Sequence, residues 1–254
     1  MATFKESCFT PAEFAQIAQI ERSMIPALEA AGAIKITRKK IGNVDRKMIT
    51  IDDVREYFQK TRRGEVFGRH GDQTQSAPAG AEAAGQPMPA ELGVEAVAAA
   101  TGFTLVAPKH KIQMFYNVKG GTGKSTLTAQ FVMHAAMLGL NVLAIDLDGQ
   151  GHLTLNLDVL DAHERPTIYD VLINDLPIAE AIMNVAPGLD LIPANLGLCN
   201  IEIPLNQKTR REYRLSEAIS KIADRYDLIV ADTNPAASIL NGSMLVAAGK
   251  VNVV

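Results

Sequence analysis

The spacing of apolar positions along this chain changes character twice. Phe14, Ile17 and Ile20 recur at helical spacing behind Thr10-Pro11-Ala12-Glu13. Thr10 is a natural cap, Pro11 suits the first helical position, and Glu13 closes a capping box, so a short helix is expected to about Ile20. Ser23 is expected to cap a second short helix, from Met24 to about Ala31, which Gly32 stops. Residues 33–50 then alternate around Gly42-Asn43, the pattern of a β-hairpin. Thr50 caps a third expected helix, Ile51 to about Lys60, with Val54, Tyr57 and Phe58 as its apolar stripe. Over residues 72–91 the pattern lapses into Gln, Ala, Gly, Pro and Ser, which reads as a linker, and residues 90–100 read as an Ala-rich helix.

From His110 onward the period changes again. Mainly apolar runs at 111–117, 142–147, 189–192, 227–231 and 251–254 read as buried strands. Helical segments at 125–138, 167–174, 178–183 and 213–225, and one more before the last strand, separate them. Strand, helix, strand in succession predicts an α/β fold, a mostly parallel sheet flanked by helices. The expected organisation is a small helix-turn-helix unit with a hairpin wing over residues 1–70, a linker with its connecting helix over 71–108, and an α/β domain over 109–254. The record stops on a strand without the helix such a strand normally feeds, so truncation is expected at the C-terminus.

The first loop of the α/β part carries the chemistry. Lys119-Gly120-Gly121-Thr122-Gly123-Lys124-Ser125-Thr126 lies between a strand and a helix, the setting of a phosphate-binding loop. Glycines let backbone N–H groups point inward at phosphate oxygens, and the helix N-terminus adds its positive end. Lys124 is placed to reach the terminal phosphates and the Ser125 hydroxyl to sit on Mg²⁺. The strand at 142–147 delivers Asp146 and Asp148, two carboxylates at i, i+2 facing the crevice where α/β sheets bind ligands. The strand at 227–231 ends in Asp232, four apolar residues followed by the carboxylate that holds a Mg²⁺ shell in Walker B segments.

With Lys119 at its head, the loop resembles the deviant Walker A signature KGGxGK[ST]T of the ParA/MinD group of P-loop ATPases. Asp146-Leu147-Asp148-Gly149-Gln150-Gly151-His152 resembles that group's DxDPQGN segment, with Gly149 for proline and His152 for asparagine. Asp232-Thr233-Asn234-Pro235 resembles its DxPP, and Gly188 to Asn195 resembles its GLDLIPAN strand segment. Residues 198–205 continue like the larger plasmid ParA proteins, which also carry an N-terminal winged helix-turn-helix. The resemblance implies ATP and Mg²⁺ as cofactors and a homodimer in which Lys119 reaches the partner's nucleotide. It implies that Asp148 orients the attacking water and that Asp146 supports Mg²⁺ through its waters. It also implies a ParB-like partner that stimulates hydrolysis. Gly149 should loosen this loop and affect the rate of hydrolysis.

The N-terminal pattern of helix, helix, hairpin, helix resembles the MerR-like winged helix-turn-helix. Its hairpin region holds Lys35, Arg38, Lys39, Lys40, Arg46 and Lys47 against Asp45 alone, and such a wing suits DNA phosphates. The second helix is poor in base-reading side chains; Arg22, Ser23 and Glu29 are the polar candidates, which argues against much direct sequence readout. Net charge is −3, split as about +3 over residues 1–72 and −6 over the remainder. Cys8 and Cys199, and His134, His152 and His163, show no metal-ligand spacing. Neither an N-terminal leader nor a membrane-length apolar run is evident, so a cytoplasmic, nucleoid-associated protein is expected. The resulting expectation is a DNA-partition ATPase that binds DNA non-specifically and also its own operator. The rival is an ATP-responsive, sequence-specific repressor with no motor role. A MinD-like membrane ATPase fits poorly with a DNA-binding N-terminus, and a nitrogenase-iron-protein-like reductase lacks its cluster cysteines.

Overall fold

A computed structural model describes residues 7–41, 44–62 and 110–254, in two compact units. The expected turn at Gly42-Asn43, the linker and the Ala-rich helix lie outside the described residues.

In the N-terminal unit, α1 (Pro11–Ile17) begins with the capping box: Thr10 accepts from Glu13 N, and the Glu13 carboxylate accepts from Thr10 N at 2.7 Å. This helix stops at Ile17, short of the expected end, and Gln19 takes φ 53° just beyond it. Ser23 is not a cap. It lies inside a 3-10 turn, Arg22–Met24, and its hydroxyl donates to Glu21. The helix that follows, α2 (Ile25–Ala30), has no side-chain cap and gains its place from burial of Ile25 and Leu28. Gly32 ends it at φ 67°, a conformation costly for any residue with a Cβ. A short strand unmarked in the apolar pattern, β1 (Cys8–Phe9), pairs with one edge of β3 (Val44–Thr50), and β2 (Thr37–Ile41) pairs with the other. Thr50 and Asp53 form a second reciprocal cap at the start of α3 (Ile51–Arg62). Val54, Tyr57 and Phe58 bury completely or nearly so, with Phe14 edge-on to Tyr57 at 5.2 Å.

The second unit is built on a six-stranded sheet in the order β6-β7-β5-β8-β4-β9, parallel except for β6. Its strands are β4 (Ile112–Tyr116), β5 (Val142–Asp146), β6 (Met183–Ala186), β7 (Leu189–Ile192), β8 (Leu228–Asp232) and β9 (Lys250–Val253). Every residue of β5 and β8 is buried, which is why both read as unbroken apolar runs instead of alternating ones. Between the strands run α4 (Lys124–Met137), α5 (His152–Asn156), α6 (Ile168–Ile173), α7 (Glu202–Asn206), α8 (Arg211–Ser220) and α9 (Ile239–Ala247). Two expected helices are shorter than their patterns. Residues 178–181 form one 3-10 turn, and the 213–225 segment divides into α8 and a 3-10 turn at Ala223–Arg225. The antiparallel β6 and the short α5 and α7 carry too few periodic positions to be read from sequence.

Strand order sets the site. Walker-type carboxylate and phosphate loop are far apart in sequence, yet β8 lies between β4 and β5. The C-terminal ends of these three strands therefore deliver the loop after β4, the Asp146–Asp148 pair and Asp232 to one crevice. Among the described residues no helix is long and apolar enough to cross a membrane.

Candidate functional site: a phosphate loop facing buried carboxylates

The loop after β4 is shaped by two glycines, Gly121 at φ 73° and Gly123 at φ 88°, the latter in the N-cap position of α4. No side chain caps this helix, so its first N–H groups are left to an anion. Asn117 orders the loop entrance: its side-chain oxygen accepts from Lys119 N at 2.9 Å, while its amide donates to the Val254 carbonyl. Lys119 itself is exposed. Lys124 is buried at 6% exposure, its ammonium donating to the Lys119 carbonyl at 3.4 Å. A buried ammonium with a single long backbone partner is incompletely compensated, and it is positioned for a phosphate. The Thr122 hydroxyl is also buried without a partner.

Facing this loop are the carboxylates. Asp232 is fully buried; Oδ1 accepts from Thr128 at 3.4 Å, the Ser125 hydroxyl also interacts with the carboxylate, and among the described residues Oδ2 has no hydrogen-bond partner. Burial pushes its pKa up to about 6, with the Asp148 charge adding to the rise and Ser125, Lys124 and Thr128 opposing it. Asp146, fully buried beside it, is pushed to about 7, again chiefly by burial. Three donors hold Asp146: Thr154 N at 2.9 Å and the Thr154 hydroxyl at 2.7 Å on Oδ2, and Asp148 N at 3.1 Å on Oδ1. Asp146 thus spends its lone pairs on the loop 148–154 and shapes it. Asp148 is only partly buried and accepts from Gln150 N at 3.0 Å.

Mutually repelling buried carboxylates with one orphaned oxygen are what a divalent cation relieves. Among the described residues no group of three or more His, Cys, Asp or Glu side chains could hold a metal by itself. Mg²⁺ takes few protein ligands and completes its shell with water and phosphate. Of the predicted metal residues, Ser125 and Asp232 are the ones that could hold such a cation, while Asp146 spends its oxygens on the loop 148–154.

The sequence pattern did not point to Thr128, Thr154 or Asn117. Thr128 lies one helical turn beyond Lys124, and its hydroxyl also donates to the Lys124 carbonyl at 2.8 Å. That spacing is a usable signal; nothing marks Thr154 in advance. The expected looseness at Gly149 is also not what the packing shows. Gly149 is buried, and a Cβ there would stand 2.4 Å from Cys199 Sγ and 2.9 Å from Cys199 N.

In the N-terminal unit, Arg22, Ser23, Lys35, Arg38, Lys39, Lys40, Arg46 and Lys47 are all exposed. The hairpin register sets Arg38 opposite Lys47 and Lys39 opposite Arg46, two rungs of like charge, with Lys40 opposite Asp45. Like charges directly across a ladder weaken it. Among the described residues none of the six basic side chains of this region makes an ion pair; Lys39 contacts the Cys8 sulfur at 3.7 Å.

Residues 110–254 match the protein family described as AAA domain. The same part is 38% identical over 140 residues to the cell division protein PomZ of Myxococcus xanthus, covering 55% of this chain and 44% of that protein. It is 37% identical over 138 residues to the chromosome partitioning protein ParA of Caulobacter vibrioides, covering 53% and 52% respectively. The chain therefore spans about half the length of the curated relatives it matches. Among solved structures it is similar to a cobyrinic acid a,c-diamide synthase from Mycobacterium smegmatis with bound ATP analogue and magnesium. That likeness has a TM-score of 0.53 and 32% identity, and covers 56% of this chain and 59% of the other.

Proposed function

The chain belongs to the AAA-domain family over residues 110–254, and from that premise we propose that it is a ParA-like DNA-partition ATPase. It binds ATP with Mg²⁺, dimerises on ATP, binds DNA and releases it on hydrolysis. The observation that carries this reading is the buried Lys124, at the uncapped N-terminus of α4, facing Asp232 with its free Oδ2. An ammonium and a carboxylate both left short of partners fit a nucleotide phosphate with its cation.

In this reading Lys124 neutralises charge on the transferred phosphoryl group, and Lys119, exposed at the head of the loop, does so for a second copy of the chain. Glycines 120, 121 and 123, with Thr122, Ser125 and Thr126, line the phosphates. Asp148, partly exposed at the mouth of the crevice, orients the attacking water. Asp146 holds the loop of Asp148 in place. The catalytic demand is positioning and charge neutralisation, with no covalent step on the protein.

The N-terminal unit supplies a DNA contact through Lys35, Arg38, Lys39, Lys40, Arg46 and Lys47, with Arg22 and Ser23 on the second helix, and the same unit serves operator binding. A ParB-like protein stimulates turnover. The compartment is the cytoplasm, on the nucleoid. A repressor in which ATP is only a conformational ligand is the second reading, favoured by the density of positive charge on the hairpin.

Binding of the full chain to random-sequence duplex DNA, with Mg-ATP, Mg-ADP or no nucleotide, separates them. Binding confined to ATP and falling steeply with salt supports partition. Equal binding in all three states, or binding to a single upstream site alone, supports the repressor.

A further inference from the structure

One segment touches both the loop after β5 and the helix α9 that follows the loop after β8. Residues 194–202 run from the end of β7 into α7, anchored in the core by Leu198 and Ile201. On one side they wall the loop 148–154. Ala194 N donates at 3.0 Å to the Thr154 hydroxyl, the same hydroxyl that donates to Asp146. The Ala194 carbonyl oxygen stands 3.3 Å from where a Cβ on Gly151 would lie, and Cys199 stands against Gly149 so closely that no side chain fits there. On the other side Glu202 reaches α9: its carboxylate accepts from Ile239 N at 3.0 Å and Leu240 N at 3.4 Å. A carboxylate on the first N–H groups of a helix is favoured by hydrogen bonding and by the helix dipole together. Two residues further on, Asn241 is 2% exposed, and its amide donates to Asn234 O, Asn234 Oδ1 and Ala236 O at 3.1, 2.8 and 2.7 Å. The start of α9 therefore sets the course of the chain immediately after Asp232.

We propose that Glu202 is a positioning residue that links the loop after β5, which carries Asp148, to the loop after β8, which follows Asp232, with residues 194–202 as the connecting strap. A displacement of either loop is passed to the other because Gly149 leaves no slack against Cys199 and the Glu202 carboxylate leaves none at α9. The consequence for turnover rests on the ATPase reading above; the linkage itself does not.

Hydrogen exchange on the full chain tests the linkage without any need for activity. Glu202→Ala is expected to speed exchange at least about threefold both in residues 233–241 and in 148–154. Glu202→Gln, which keeps an acceptor, is expected to restore most of the protection in both. Acceleration confined to 239–241 makes Glu202 a local helix cap and overturns the proposal. Gly149→Ala pushes from the opposite end; faster exchange in 233–241 supports the link, and an effect limited to 148–154 overturns it. Turnover is then read in parallel. Glu202→Ala should lower kcat about tenfold with KM for ATP changed less than about twofold, since ground-state binding by the phosphate loop is untouched. A fall in ATP affinity equal to the fall in kcat would overturn the positioning role. If the wild-type chain hydrolyses no ATP while both loops still loosen together, the ATPase reading fails and the link stands.

Discussion

The crevice of the α/β unit and the hairpin of the N-terminal unit both concentrate like charge, and they handle it in opposite ways. In the crevice, Asp146 and Asp232 are buried, and the loss of water, with a smaller contribution from neighbouring carboxylates, raises their pKa values. On the hairpin, Arg38 faces Lys47 and Lys39 faces Arg46 in the open, where water screens them. Buried like charge is expensive and selects a particular counter-ion at a particular place; exposed like charge is cheap and attracts any polyanion. The first arrangement suits a cation and a phosphate held at fixed distances. The second suits a DNA backbone held in no fixed register.

Four experiments sharpen or break this contrast. The largest effect is expected from Lys124→Ala, which removes the buried ammonium and should weaken ATP binding at least about a hundredfold in a fluorescent-nucleotide titration. Near-normal affinity would mean that the crevice is not the nucleotide site. Asp148→Ala should leave ATP affinity within a few-fold and lower kcat at least about a hundredfold; unchanged turnover removes its assignment to the attacking water. Replacing Arg38, Lys39, Arg46 and Lys47 together by alanine should weaken random-sequence DNA binding about tenfold or more. It should also make the log–log salt slope shallower by roughly one for each lost phosphate contact. A slope that does not change places the DNA contact elsewhere.

The smallest effect is a stability one. Asp146 and Asp232 have folded pKa values raised above their unfolded ones, so their contribution to stability is complete below about pH 4 and is lost as pH rises through about 6 and about 7. Without nucleotide, the melting temperature of the α/β unit should therefore fall between about pH 4 and about pH 7. Asp232→Asn should reduce that fall by a few degrees, equivalent to about 1–3 kcal/mol, and Mg-ATP should flatten the wild-type curve. An identical pH profile in Asp232→Asn would show that burial does not raise the Asp232 pKa.

Much of this protein was legible in local pattern. The capping box at Thr10-Glu13, the cap at Thr50, the stop at Gly32 and the apolar runs of β5 and β8 that end in aspartate are each properties of a few adjacent residues. Ser23 shows the limit of such reasoning. A serine before a helical run is a good cap candidate, yet burial of Ile25 and Leu28 set where the helix begins, and the serine was left to bond Glu21. Gly149 shows a different limit. Glycine by itself suggests freedom, but the packing of Cys199, fifty residues away in sequence, removes it.

By itself, the sequence determined most of the longer elements, the phosphate loop and the residue types that chemistry at a phosphate requires, because each depends on hydrogen bonds and periodicities spanning a few residues. Only the tertiary structure decided that β8 would insert between β4 and β5. That insertion brings Asp232 to Thr128, 104 residues before it, and buries it with an oxygen unpaired. It also decided that Glu202 would cap a helix 37 residues further on. Strand order and side-chain burial are settled by the whole core at once, and no window of the sequence contains them.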